Sequence, residues 1–135
     1  MMALLDPRAG HYSLLITDDD ASCRDSLRDV FELKGYTTYL ASCGREAVKI
    51  ARSEELHLLI LDAHLPDYSG LETFKIIRSE ISVAIPCIFM SGDITRELQI
   101  DLISVDAYTL IPKPINVNIM RDSDKVYLKF SRNIA

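Results

Sequence analysis

The chain reads as an α/β domain built on a parallel sheet with helices on both faces. Three observations predict this. Short apolar runs recur five times, at residues 13–17, 37–41, 57–62, 87–90 and 107–111, and apolar residues in the intervening segments are spaced by three and four. The connections between them are short, which implies right-handed crossovers and a parallel sheet covered on both faces. Leu58, Leu59, Ile60 and Leu61 are consecutive apolar residues, which marks a strand buried on both faces near the middle of the sheet.

Residues 1–12 carry Pro7 and Gly10 without periodicity and read as a mobile lead-in to a single domain over 13–135. The first strand runs into Asp18-Asp19-Asp20, and Cys23, Leu27, Val30 and Phe31 then mark a helix stopped by Gly35. The second strand follows. Ala47, Val48, Ile50 and Ala51 predict a second helix after Gly44, with Arg45, Glu46 and Lys49 facing water. The central strand ends at Asp62, and Pro66 and Gly70 mark a tight loop behind it. Leu71, Phe74, Ile77 and Ile81 form the third helix, and Pro86 opens the fourth strand, which ends at Ser91-Gly92. A helix over 93–104 carries Leu98, Leu102 and Ile103 inward, and the fifth strand runs into Pro112-Lys113-Pro114. A last helix is expected over about 116–132, with Asn116 or Asn118 as its cap and Ile119, Met120, Tyr127, Phe130 and Ile134 placed on one face. The polar run 121–125 interrupts that stripe, and 126–130 would also alternate as a strand.

A chain of 135 residues, 48% hydrophobic and 26% charged, can bury a core without disulfides or a structural metal. A net charge of -5 without a basic run argues against binding nucleic-acid phosphates. No apolar run approaches the ~20 residues that cross a bilayer, and no leader pattern opens the sequence, so the expected location is the cytoplasm. Three cysteines, Cys23, Cys43 and Cys87, lack zinc spacing and read as reduced thiols, with Cys87 in the core.

In a parallel sheet the carboxyl ends of the strands share one edge. Asp18 and Asp19 after the first strand, Asp62 after the third, Ser91 after the fourth and Lys113 after the fifth therefore converge. Singly, Asp62 reads as a loop cap and the early acids as helix caps. Together they repel, and the repulsion is relieved by a cation, a proton or a lysine. All-oxygen donors suit Mg2+. A carboxylate, Mg2+, a lysine and a hydroxyl are the parts needed to accept a phosphoryl group.

Asp18-Asp19, Leu61-Asp62 with Pro66 and Gly70-Leu71-Glu72, Met90-Ser91-Gly92 and Lys113-Pro114 resemble the receiver domains of two-component response regulators. The resemblance implies a flavodoxin-like sheet in the order 2-1-3-4-5. It also implies phosphorylation of Asp62 by a sensor histidine kinase or phosphotransfer protein. Mg2+ would be held by Asp19, Asp62 and the backbone carbonyl of His64, with Asp18 acting through water. Lys113 would clamp the phosphoryl group, Ser91 would turn toward it, and the Lys113–Pro114 bond would be cis. The downstream partner would be a protein target or an output domain outside these residues, and the last helix of such domains commonly belongs to a dimer or partner surface.

Two features depart from the family pattern. An aromatic residue or His often stands three positions before the lysine, where this chain has Leu110. Tyr108 lies two residues earlier and, by strand alternation, on the same face as Leu110. The irregular tail is the second departure. The alternative function is a pseudo-receiver, an interaction module without phosphotransfer. A Mg2+-dependent phosphohydrolase fits less well, because Ala63 and His64 follow Asp62 where such enzymes usually carry a second acid. The expectation is a switch that turns over no small molecule.

Overall fold

The computed structural model describes residues 12–81 and 84–115. Five parallel strands alternate with four helices: β1 (Ser13–Thr17), α1 (Ala21–Leu33), β2 (Thr37–Ala41), α2 (Gly44–Ser53), β3 (Leu58–Asp62), α3 (Gly70–Glu80), β4 (Cys87–Ser91), α4 (Arg96–Ser104) and β5 (Thr109–Pro112). The sheet order is β2-β1-β3-β4-β5, as the resemblance implied.

Every residue of β3 and β4 is buried, which is what unbroken apolar runs dictate for strands covered on both sides. Side chains alternate across the sheet and feed two separate cores. Leu14, Ile16, Leu58, Ile60, Ile88 and Met90 pack with Leu27, Val30 and Phe31 of α1. Leu15, Leu59, Leu61 and Phe89 pack on the other side with Ala47, Val48, Phe74, Ile77 and Leu102 from α2, α3 and α4. Each fully buried Leu, Ile or Phe stabilises the fold by about 1.5–3 kcal/mol relative to exposure.

Three local expectations are corrected. Helix α4 begins at Arg96 rather than at residue 93, because Asp93 is held by the Ser91 hydroxyl and Thr95 caps the helix by accepting the Leu98 N–H at 3.1 Å. Only Leu102 of α4 is buried, while Ile103 is 76% exposed. Strand β5 begins at Thr109, two residues later than expected, since the Ala107 N–H still bonds to Leu102 O behind Asp106, whose φ is 56°. Tyr108 therefore precedes the strand and escapes its alternation: it packs with the α1 core, whereas Leu110 packs on the α2–α3–α4 side.

Gly35 adopts φ 93°, the left-handed stop that the sequence reading assigned to it. Tyr12, assigned to the lead-in, is half-buried, with its ring edge-on to His57 at 5.1 Å and its carbonyl accepting the Thr37 N–H. The rest of the lead-in and the helix expected over 116–132 lie outside the described residues.

Candidate functional site

At the end of β1 the three successive acids separate by role. Asp20 is the N-cap of α1, its carboxylate accepting the Ser22 N–H at 2.9 Å, so for this residue the plain capping role holds. Asp18 is fully buried and accepts the Asp20 N–H at 2.9 Å, while its carbonyl accepts from the Arg24 guanidinium at 2.6 Å. Asp19 is exposed. Asp62 closes β3, buried, with one oxygen accepting the His64 N–H at 3.0 Å.

Parallel pairing brings these ends together. Carboxylate oxygens of Asp18, Asp19 and Asp62 all lie within 4.8 Å of one another. Lys113, just past β5, reaches back across the sheet edge and donates to Asp18 Oδ2 at 2.8 Å and to Asp62 Oδ2 at 2.9 Å. Its bond to Pro114 is cis, as the sequence resemblance implied. Ser91 is buried at the end of β4, but its hydroxyl turns to its own loop, accepting the Asp93 N–H at 3.1 Å and donating to Asp93 O at 2.9 Å.

The two buried acids differ electrostatically. Burial pushes the Asp62 carboxyl up; the His64 N–H and Lys113 pull against it, the Asp18 charge adds a smaller rise, and the net shift is upward. Burial also opposes ionisation of Asp18, but hydrogen bonds from Lys113, the Asp20 N–H and the Cys23 thiol outweigh it and hold Asp18 below its ordinary value. Cys23 is pushed up to about 12 by burial and by its bond to Asp18, so it is an unreactive thiol. Lys113 loses some stabilisation through burial and regains more from the two carboxylates, so its ammonium stays charged.

Three carboxylates against one ammonium leave a double negative charge on an all-oxygen donor set, which matches a hard divalent cation. The residues present therefore fit Mg2+.

The loop behind Asp62 is shaped by Gly70. A Cβ there would collide with the Asp62 carbonyl and lie 2.9 Å from Ala63 Cα, so only glycine allows the loop to fold back on the strand end. Sequence reasoning singled out Gly70 as a turn residue but missed Asp67, whose carboxylate crosses to the start of α2. The available signal was Cys43, a poor cap at the position where α2 begins.

Residues 14–123 match the family model of the response regulator receiver domain. The chain belongs to this family. Among curated receivers it is 32% identical over 123 residues to sporulation initiation phosphotransferase F of Bacillus subtilis, covering 89% of this chain and 96% of that one. It is also 32% identical over 122 residues to the polar-differentiation response regulator DivK of Brucella ovis, covering 86% of this chain and 95% of that one. The solved receiver domain protein (CheY-like) from Methanospirillum hungatei superposes with a TM-score of 0.80 at 24% identity, covering 93% of this chain and 98% of that one, a likeness of fold. Receiver domains of two-component systems are signalling switches that bind Mg2+ at an acidic site, and this receiver carries an acidic cluster of that kind. Among its described residues no helix is long and apolar enough to cross a membrane.

Proposed function

We propose that this receiver accepts a phosphoryl group on Asp62 from a phosphohistidine of a sensor kinase or phosphotransfer protein. An Asp62 oxygen forms a bond to phosphorus as the phosphorus–nitrogen bond of the donor breaks, and the imidazole leaves with a proton. The observation that carries this reading is the Lys113 ammonium shared between Asp18 and Asp62 beside a third acid.

Among the described residues, Asp62 closes the middle strand of the sheet and joins both Lys113 and the neighbouring acids, which supports it as the acceptor. Its raised proton affinity accompanies a more basic, and so more nucleophilic, carboxylate. Asp19, Asp62 and the His64 carbonyl would hold Mg2+, with Asp18 acting through water, and the ion would neutralise charge on the transferring group. Lys113 clamps the transferred oxygens. The Ser91 hydroxyl exchanges its bonds to Asp93 for one to the phosphoryl group, and so frees the loop that leads into α4. The name of the Bacillus subtilis relative, a phosphotransferase, supports a role in passing the group between proteins. The domain works in the cytoplasm, turns over no small molecule, and signals by presenting a changed surface to a protein target.

Intact mass spectrometry after incubation with acetyl phosphate and Mg2+ tests this. One phosphoryl group should add to the wild type and none to Asp62→Asn. Equal labelling of both refutes the assignment of Asp62. A folded wild type that takes no label favours the pseudo-receiver, the reading that Leu110 at the usual aromatic position supports.

A further inference from the structure

Helix α2 starts without a cap of its own. Cys43 holds the N-cap position and its side chain makes no cap hydrogen bond, as expected of a weak thiol acceptor. The missing acceptor comes from another part of the chain. Asp67, in the loop between β3 and α3, takes the Gly44 N–H on one oxygen and the Arg45 N–H on the other, both at 2.8 Å. A third N–H, from Tyr68, reaches it at 2.7 Å. Packing closes the same junction, because a Cβ on Gly44 would run into the Thr73 hydroxyl and lie 2.9 Å from the Tyr68 ring.

The ends of this loop are fastened at the acceptor site. The His64 N–H bonds to the Asp62 carboxylate at 3.0 Å, and the Gly70 N–H bonds to Ala63 O at 2.9 Å. Between those fastenings, Asp67 anchors the middle of the loop to α2. We infer that Asp67 is a positioning residue: by tying the loop to the start of α2 it holds the His64 main chain, and through it the Asp62 carboxylate, in the orientation a divalent cation requires. This rests on the functional reading above.

Coupling between two sites is reciprocal, so if the α2 amides hold a loop that the cation needs, the cation must tighten those amides in return. In the wild type, Mg2+ with beryllofluoride should slow hydrogen exchange of the Gly44 and Arg45 amides roughly fivefold. Asp67→Ala should weaken Mg2+ affinity, read by NMR titration, roughly tenfold, as for other groups that orient a metal's ligands. Asp67→Asn keeps one acceptor oxygen and turns the other into a donor facing an N–H, so it should recover only part of that affinity. Ala51→Gly weakens α2 in its interior without touching the loop, and should bind Mg2+ like the wild type. Unchanged exchange in the wild type overturns the inference, as does wild-type affinity in Asp67→Ala or an equal loss in Ala51→Gly. The exchange measurement stands even if Asp67→Ala fails to fold. A wild type that binds neither Mg2+ nor beryllofluoride removes the phosphoacceptor reading and this inference together, whereas a binding wild type matched by Asp67→Ala removes this inference alone.

Discussion

The Lys113 ammonium lies 2.9 Å from the Asp62 carboxylate, 51 residues away in sequence, with 21% of the lysine and 7% of the aspartate side chain exposed. Removing it leaves two buried acids facing each other. Lys113→Ala should cost roughly 1–3 kcal/mol in metal-free buffer, less than a fully buried pair because water reaches the lysine. Mg2+ should restore part of the loss. Urea denaturation with and without Mg2+ reads both effects, and a variant as stable as the wild type in chelator would show that the acids need no lysine.

The Asp67 carboxyl predicts a pH dependence. Desolvation opposes its ionisation even at this exposed site, but the Arg45, Tyr68 and Gly44 N–H groups outweigh that and hold it at about 2, below the ordinary 3.8. A lowered acid contributes stability that is present above its unfolded value and lost as the pH falls through its folded one. Asp67→Asn should therefore be less stable than the wild type at pH 7, by about 0.5–1 kcal/mol for an exposed capping charge, and the gap should close between about pH 4 and pH 2. Chemical denaturation across that window in chelator tests it; a constant gap would mean that the charge contributes nothing.

Gly70→Ala should be severe. The added methyl meets backbone at the Asp62 carbonyl and at Ala63, and backbone cannot swing aside as a side chain can. A loss of about 3 kcal/mol is expected, at the upper end for overpacking, together with loss of acetyl phosphate labelling. Near-wild-type labelling would show that the loop has another arrangement the acceptor can use.

Ser91→Ala separates acceptance from response. The variant should still take a phosphoryl group on Asp62, since the hydroxyl bonds only to Asp93 among its described partners. Amide shifts caused by beryllofluoride with Mg2+ at residues 91–95 should largely vanish, while Ser91→Thr should retain them. A full response in Ser91→Ala would place the switch elsewhere.

Much of this was legible in the sequence because strands and acids obey short-range rules. Leu58 to Leu61 announces a doubly covered strand without reference to any partner, and Asp62 at its end falls at the ligand-binding edge by topology alone. What escaped depends on contacts that spacing does not encode. Asp67 caps a helix 22 and 23 residues upstream, and nothing near it in sequence names that helix. Ile103 fits an inward stripe with Leu102, yet α4 touches the sheet mainly through Leu102 and leaves Ile103 in water. Tyr108 was misplaced because alternation was extended one residue beyond the true start of β5. Asp20, by contrast, takes the helix-capping role that the sequence offered for the early acids.

Lys113 also meets Asp18 across 95 residues, from the end of the last described strand to the end of the first. Contacts between such distant segments carry a large closure entropy and tend to form late in folding. The β1 and β3 ends are neighbours once those strands pair, whereas the ammonium that reconciles their acids is supplied from the end of β5. A chain interrupted before β5 holds repelling carboxylates and no clamp. Under the proposed function, readiness to take up phosphate would therefore certify that the strands that position Asp18, Asp62 and Lys113 have all been assembled.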